Sequence, residues 1–253
     1  MSDDVLVLNS VIKHFGGVRA VDGCSFTVPA GALYGLIGPN GAGKSTVFNL
    51  VSGLLEADDG EILFNGNSLR GRRPEDIAAL GLGRTFQTPR AFASLDVLEN
   101  MLASASADES LRSSLSGRYR KHEKQSVERC LELLEFVGLQ DKSSESLKEL
   151  TGGELRMLEV ARQLIRNPDI LLLDEPTAGV SPDLQDRLGR LIRHMHDEGM
   201  TLVIVEHNLS FLLALAEHIV VLTNGSVLTQ GTPEEIRQDR AVGDAYLGRT
   251  NAA

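Results

Sequence analysis

Leu33-Tyr34-Gly35-Leu36-Ile37-Gly38-Pro39-Asn40-Gly41-Ala42-Gly43-Lys44-Ser45-Thr46 decides the fold class. Its first five residues form a short apolar run, the pattern of a buried strand. Gly38 to Ser45 then fits G-x-x-x-x-G-K-[ST] in full, and Val47, Leu50 and Val51 recur at helical spacing until Gly53. A strand that passes through a glycine-rich turn into a helix is the context in which this pattern binds phosphate. The glycines let backbone N–H groups curl around an anion, and the helix N-terminus adds a partial positive charge. Lys44 supplies a cation for the β- and γ-phosphates, and the Ser45 hydroxyl is placed to bind Mg²⁺. A glycine-rich turn that merely happens to carry Lys-Ser is the competing structural reading, and both flanks weigh against it.

Further along, Ile170-Leu171-Leu172-Leu173-Asp174-Glu175-Pro176 reads as a second buried strand, ending in adjacent carboxylates. Ligands of open α/β sheets sit at the carboxyl ends of strands. Asp174 in that position suits Mg²⁺, and Glu175 suits orienting and deprotonating an attacking water. Phosphoryl transfer needs positioning and charge neutralisation more than covalent chemistry, so this pair completes what the glycine loop begins. Without the loop, Asp-Glu before Pro reads equally well as a turn or cap.

Around these anchors the sequence predicts strands at Val5–Leu8, Ser25–Val28, Glu61–Phe64, Thr201–Val205, Ile219–Leu222 and Val227–Leu228, with a tight turn at Asn224-Gly225. Helices are predicted from about Pro182 to Glu198 and from Pro233. Between Asp96 and Gly138 the chain turns helical, with Val127, Leu131, Leu134 and Val137 on one face and a Ser-rich stretch from Ser104 to Gly117. Strands alternating with helices imply an α/β fold. The organisation expected is one domain over residues 1–253. Its nucleotide-binding core takes residues 1–95 and 165–232, a helical insert takes 96–164, and a helical tail takes 233–253.

The 253 residues include 25 Lys+Arg against 35 Asp+Glu, a net charge of −10 that argues against broad nucleic-acid binding. A basic cluster from Arg112 to Lys124 reads as a solvated face. Cys24 and Cys130 lack metal-like spacing and suggest reduced thiols of a cytosolic protein. Met1-Ser2-Asp3-Asp4 lacks the features of a signal peptide, and no apolar run reaches the ~18 residues of a spanning helix. Any membrane role is therefore expected to come through a partner.

With both phosphate-directed motifs in view, the chain resembles the ATP-binding cassette of ABC transporters over almost its whole length. The family's motifs occur in order: Phe15, Gly38–Ser45 with Thr46, Gln87 in Arg84-Thr85-Phe86-Gln87, Leu150-Thr151-Gly152-Gly153-Glu154, Asp174-Glu175, and His207. The resemblance implies a P-loop NTPase core with an antiparallel β-subdomain and an inserted α-helical subdomain. It implies ATP and Mg²⁺ as cofactors, Phe15 stacking on adenine, and Gly38, Pro39, Asn40, Gly41, Ala42, Gly43, Lys44, Ser45 and Thr46 around the phosphates. Ser45, Gln87 and Asp174 would face the metal; Glu175, His207 and Gln87 would serve hydrolysis. Thr151, Gly152 and Gly153 would face the γ-phosphate of a second ATPase subunit, so that two cassettes sandwich two nucleotides.

Two departures stand out. The family pattern carries Ser and Gln where this chain has Thr151 and Glu154, which places a negative charge near the expected interface. The loop after the acidic strand reads Ala178-Gly179-Val180-Ser181-Pro182 in place of Ser-Ala-Leu-Asp, so the usual cross-subunit Asp is missing. Arg84–Gln87, Ala178–Pro182 and Asp244-Ala245-Tyr246-Leu247-Gly248 resemble the ATPase subunits of branched-chain amino acid importers and their urea or amide relatives. That subgroup implies integral membrane permease partners, a homo- or heterodimer of cassettes, and a place on the cytoplasmic face of the membrane. Two alternatives stay open: the ATPase of a lipopolysaccharide exporter, and a soluble non-transport cassette ATPase.

Overall fold

The computed structural model describes residues 4–86, 91–105 and 119–247, and side chains within them except at 119–123 and 247. Gln87 lies outside the described residues, as do most of the Ser104–Gly117 stretch and much of the Arg112–Lys124 cluster. The chain divides into two compact units. One holds the described residues of Met1–Arg84, Asp169–Pro176 and Ile192–Ala253; the other holds those of Thr85–Pro168 and Thr177–Leu191.

The first unit contains two sheets. Strands β1 (Asp4–Phe15) and β2 (Val18–Pro29) form an antiparallel hairpin that β4 (Asp59–Phe64) and β5 (Asn67–Ser68) extend in the order β2-β1-β4-β5. Both hairpin strands run 12 residues, far longer than Val5–Leu8 and Ser25–Val28. Register shifts between Leu8 and Val11 and between Lys13 and His14 break the alternation that would have marked their full length.

The other sheet has the order β10-β9-β3-β8-β7-β6. It comprises β3 (Leu33–Ile37), β6 (Leu82–Arg84), β7 (Ile170–Asp174), β8 (Thr201–Val205), β9 (His218–Thr223) and β10 (Ser226–Gly231). All neighbours are parallel except β10, which returns antiparallel beside β9 through Asn224 and Gly225 at φ 48° and 82°. Every residue of β7 and β8 is buried, which explains the apolar runs Ile170–Leu173 and Leu202–Val205. Leu36, Phe48, Phe64, Leu172, Val203 and Val220 belong to one apolar core shared by both sheets and α1 (Lys44–Val51). Short helices α2 (Pro74–Ala79), α7 (Leu209–Leu213), α8 (Pro233–Gln238) and α9 (Arg240–Leu247) complete this unit.

The register of the parallel strands fixes the site. Val205 pairs with Leu36 on one side and with Asp174 on the other, so these three residues form one row across β3, β8 and β7. Immediately past that row the chain leaves the sheet as Gly38, as Glu175 and as Glu206-His207, all from the carboxyl edge.

The second unit is helical: α3 (Val97–Ala105), α4 (Tyr119–Phe136) and α5 (Gly152–Leu164), with Met101, Leu134, Met157 and Val160 buried among them. Helix α6 (Pro182–Asp197) follows β7, and the division between units falls within it. Among the described residues, no helix is long and apolar enough to cross a membrane.

Candidate functional site

The loop after β3 is built around glycine. Gly38 and Gly43 have φ of 153° and 103°, and a Cβ on either would lie 2.2 Å from Leu222 O or 2.4 Å from Ala20 O. No side chain could stand there, so the loop presents main-chain N–H groups. The Ala42 N–H donates to Pro39 O at 3.1 Å, and Ala42 O accepts from the Gly225 N–H at 3.1 Å. The β9–β10 turn thus braces the loop. Helix α1 begins at Lys44 behind a left-handed Gly43, and no side chain caps it. Its first N–H donors keep the polarity of an anion site.

Lys44 is buried, and its ammonium donates to Gly38 O at 2.7 Å and Pro39 O at 3.1 Å. The cation is therefore folded over the loop it would serve. Ser45 is exposed at the mouth, with Thr46 partly buried beside it. Phe15 ends β1 with 48% of its surface exposed, an aromatic face open to a planar ligand.

At the β7 edge Asp174 is buried and Glu175 adopts φ 47°, a left-handed conformation uncommon for a side chain of this size. The Glu175 N–H donates to Val205 O at 2.9 Å, fixing the turn. Its carboxylate Oε1 lies 2.8 Å from Nε2 of His207, which is half-exposed. Buried Glu206 holds the His207 segment in place by accepting the N–H groups of His207 and Asn208 at 3.0 and 3.2 Å. The donor chemistry fits Mg²⁺ with a nucleotide: hard oxygens from Ser45 and Asp174, beside a loop packed so closely on Leu222 O and Ala20 O that Gly38 and Gly43 leave no room for a Cβ.

Arg84, whose sequence context marks it only as part of the Arg84–Gln87 stretch, is the hub of this edge. Its Nη2 donates to Asp174 Oδ2 at 3.0 Å, while Nη1 donates to Asn49 Oδ1 at 2.8 Å and Ser52 Oγ at 2.7 Å. Tyr246 of α9 is a second addition: burial pushes its phenol up, and the nearby backbone of Gly38 pulls it part of the way back.

In the helical unit, Thr151 N-caps α5. Its hydroxyl oxygen accepts the Glu154 N–H at 3.3 Å, and the Glu154 carboxylate accepts the Thr151 N–H at 2.8 Å. Lys142 approaches the same carboxylate at 3.0 Å. The Thr151 N–H and then the Lys142 ammonium hold Glu154 below the usual carboxylate range. Gly152 is exposed at this helix start, whereas Gly153 is buried against Leu184. A buried pair, Arg156–Glu159 at 2.9 Å, grips the peptide of Phe86 from both sides: Glu159 accepts its N–H at 2.7 Å, and Arg156 donates to its carbonyl. Burial pushes the Glu159 carboxyl up. Arg156 and Glu159, at i and i+3 on α5, carried no motif that the sequence alone would have flagged.

Residues 21–178 match the model of the ABC transporter family. The chain belongs to that family. Among ABC transporter relatives, it is 37% identical over 245 residues to a probable branched-chain amino acid transport ATP-binding protein, LivG, of Archaeoglobus fulgidus, covering 96% of this chain and 95% of the relative. It is 35% identical over 255 residues to the high-affinity branched-chain amino acid transport ATP-binding protein LivG of Salmonella typhimurium, covering 98% and 99%. Its fold is that of a nucleotide-free ATP-binding cassette from an ABC transporter, at a TM-score of 0.85 and 34% identity over 96% of this chain and 98% of the other. A cassette solved in its ADP conformation gives the same TM-score of 0.85 at 31% identity, over 97% and 99% of the two chains. The α/β cassette architecture expected of the sequence is thus the one this ABC protein has.

Proposed function

We propose that this chain is the ATP-binding and hydrolysing subunit that powers an importer of branched-chain amino acids or related small solutes. The observation that carries the hydrolytic part is Glu175, in a strained turn beside Asp174 at the same sheet edge as the phosphate loop, with His207 at 2.8 Å. The full-length similarity to relatives named for branched-chain amino acid transport supports the importer part.

In this reading Lys44 and the N–H groups of Gly38 to Thr46 bind the phosphates, and Phe15 stacks on the adenine. Ser45, Asp174 and Gln87 hold Mg²⁺, which neutralises phosphate charge when bound. Glu175 orients and deprotonates the attacking water, and His207 fixes the γ-phosphate end. Thr151, Gly152 and Gly153 present the start of α5 to the nucleotide of a second cassette, either identical or related. Closure of that pair drives integral membrane permease subunits, which would hold the chain at the cytoplasmic face of the membrane.

Steady-state ATPase assays of Glu175→Gln, with nucleotide binding measured in parallel, test the hydrolytic reading. Turnover should fall by about 10²- to 10⁴-fold, the contribution of a general base, while ATP binding persists. Near-normal hydrolysis in that variant would remove Glu175 from its role. Co-purification of membrane permease subunits tests the transport reading, and association with ribosomes or DNA instead would overturn it.

A further inference from the structure

We propose that Arg84 is the positioning residue that sets Asp174 against the phosphate-loop helix and so governs how tightly the site takes Mg²⁺. The inference rests on the nucleotide-site reading above and adds a residue to it.

The placement follows from sheet geometry. Arg84 ends β6 opposite Leu172 of β7, two residues before Asp174. Side chains alternate along a strand, so Leu172 and Asp174 point to one face, and Arg84 shares that face through its register partner. The guanidinium then reaches diagonally forward to Asp174 Oδ2. It simultaneously reaches Asn49 of α1 and Ser52 at that helix's C-terminal cap, one and two turns beyond Lys44 and Ser45, and its charged carbon lies 5.6 Å from the Phe48 ring centroid.

Three partners on two elements are joined by one planar fork, a geometry that a lysine ammonium does not reproduce. Both members are deeply buried, with side-chain exposures of 7% and 9%. A buried ion pair is a poor stabiliser compared with apolar residues of similar volume, so its presence argues for a geometric task. Here the task is visible: Asp174 and the helix that begins with Lys44 and Ser45 are registered to each other through Arg84. Asp174 and Ser45 are described residues to which the proposed reading gives Mg²⁺, and a partner that orients such a carboxylate acts on affinity for the ion.

The test is binding of a fluorescent ATP analogue to the purified chain, titrated with Mg²⁺ and repeated in EDTA, for wild type, Arg84→Lys, Arg84→Gln and Asn49→Ala. The Mg²⁺ concentration for half-maximal tightening should rise by about 10-fold or more in the Arg84 variants, the lower end for loss of a partner that orients a ligand. Asn49→Ala leaves the ion pair intact and removes one anchor, so it should shift the midpoint in the same direction by less. Affinity in EDTA should stay within about twofold, because the phosphate loop is untouched.

An unchanged Mg²⁺ midpoint, or equal losses with and without Mg²⁺, would overturn the proposal and leave Arg84 a packing residue. If neither Arg84 variant folds, Asn49→Ala carries the test under the same criteria. Failure of the wild-type chain to bind the analogue at all would instead overturn the nucleotide-site reading.

Discussion

Helices α1 and α5 both begin where an anion is expected, and their N-termini are finished in opposite ways. Helix α1 starts from a left-handed glycine with no side-chain cap, and Lys44 sits in its first turn. Helix α5 is closed by a complete capping box, in which Thr151 and Glu154 satisfy each other's backbone donors. The same box recurs at α8, where Glu235 accepts the Thr232 N–H at 2.8 Å and Thr232 accepts the Glu235 N–H at 3.3 Å. No ligand role is proposed for α8. Glu154, read from sequence as a charge intruding on an interface, therefore has an ordinary structural task within its own helix. A bare N-terminus is built to receive an anion from outside. A boxed one already holds a carboxylate, and any phosphate approaching it meets that charge.

Three substitutions probe this contrast. Lys44→Ala should have the largest effect, about a 100-fold loss of ATP affinity by equilibrium binding, because it removes charge-assisted contacts at the uncapped helix. Tight binding in that variant would detach the loop from the phosphate. Thr151→Ala opens the box on α5 and should cost about 1 kcal/mol, seen as a fall in Tm of roughly 2–4 °C for a chain of this size. No change in Tm would mean that the box contributes nothing to the fold.

Glu154→Gln should have the smallest effect on stability, because Gln still reaches the Thr151 N–H, yet it removes the charge. ATP-dependent dimerisation, followed by size-exclusion chromatography with the Glu175→Gln background, should then strengthen a few-fold; weakening would show that the carboxylate helps the interface. The same variant carries a pH signature. Glu154 is held below the usual glutamate pKa, so its contribution to stability is present above about pH 4.3 and is lost as pH falls through the lower native value. The difference in Tm between wild type and Glu154→Gln should be constant near neutrality and shrink under acid; growth toward low pH would reverse the assignment.

The sequence made the phosphate loop legible because motif, strand and helix are contiguous, and Leu33–Ile37 and Thr201–Val205 are strands over the ranges the apolar runs indicate. The capping box is also present in the i, i+3 spacing of Thr151 and Glu154, which sequence alone offers equally as a charge at the helix start. Arg84 was not legible in its role. Its strand has three residues, too few for a period, and its partners lie 32 to 90 positions away in the chain. Arg156 and Glu159 hide for a related reason: their ion pair is local, but the peptide they grip is 70 and more residues distant.

The brace beneath the phosphate loop has a consequence for tolerance to sequence change. The Asp22 N–H donates to Gly225 O at 2.9 Å, and the Gly225 N–H donates to Ala42 O at 3.1 Å, so β2 is tied to the loop through two main-chain bonds. The hairpin that ends in Phe15 and the turn that cradles an anion are thus measured off against one another by a ruler of peptide groups. Drift in side chains leaves such a ruler unmarked. Gly225 is exposed to it as Gly43 is, since a Cβ at Gly225 would lie 3.0 Å from Ala20 O, Asp22 N and Val21 Cα.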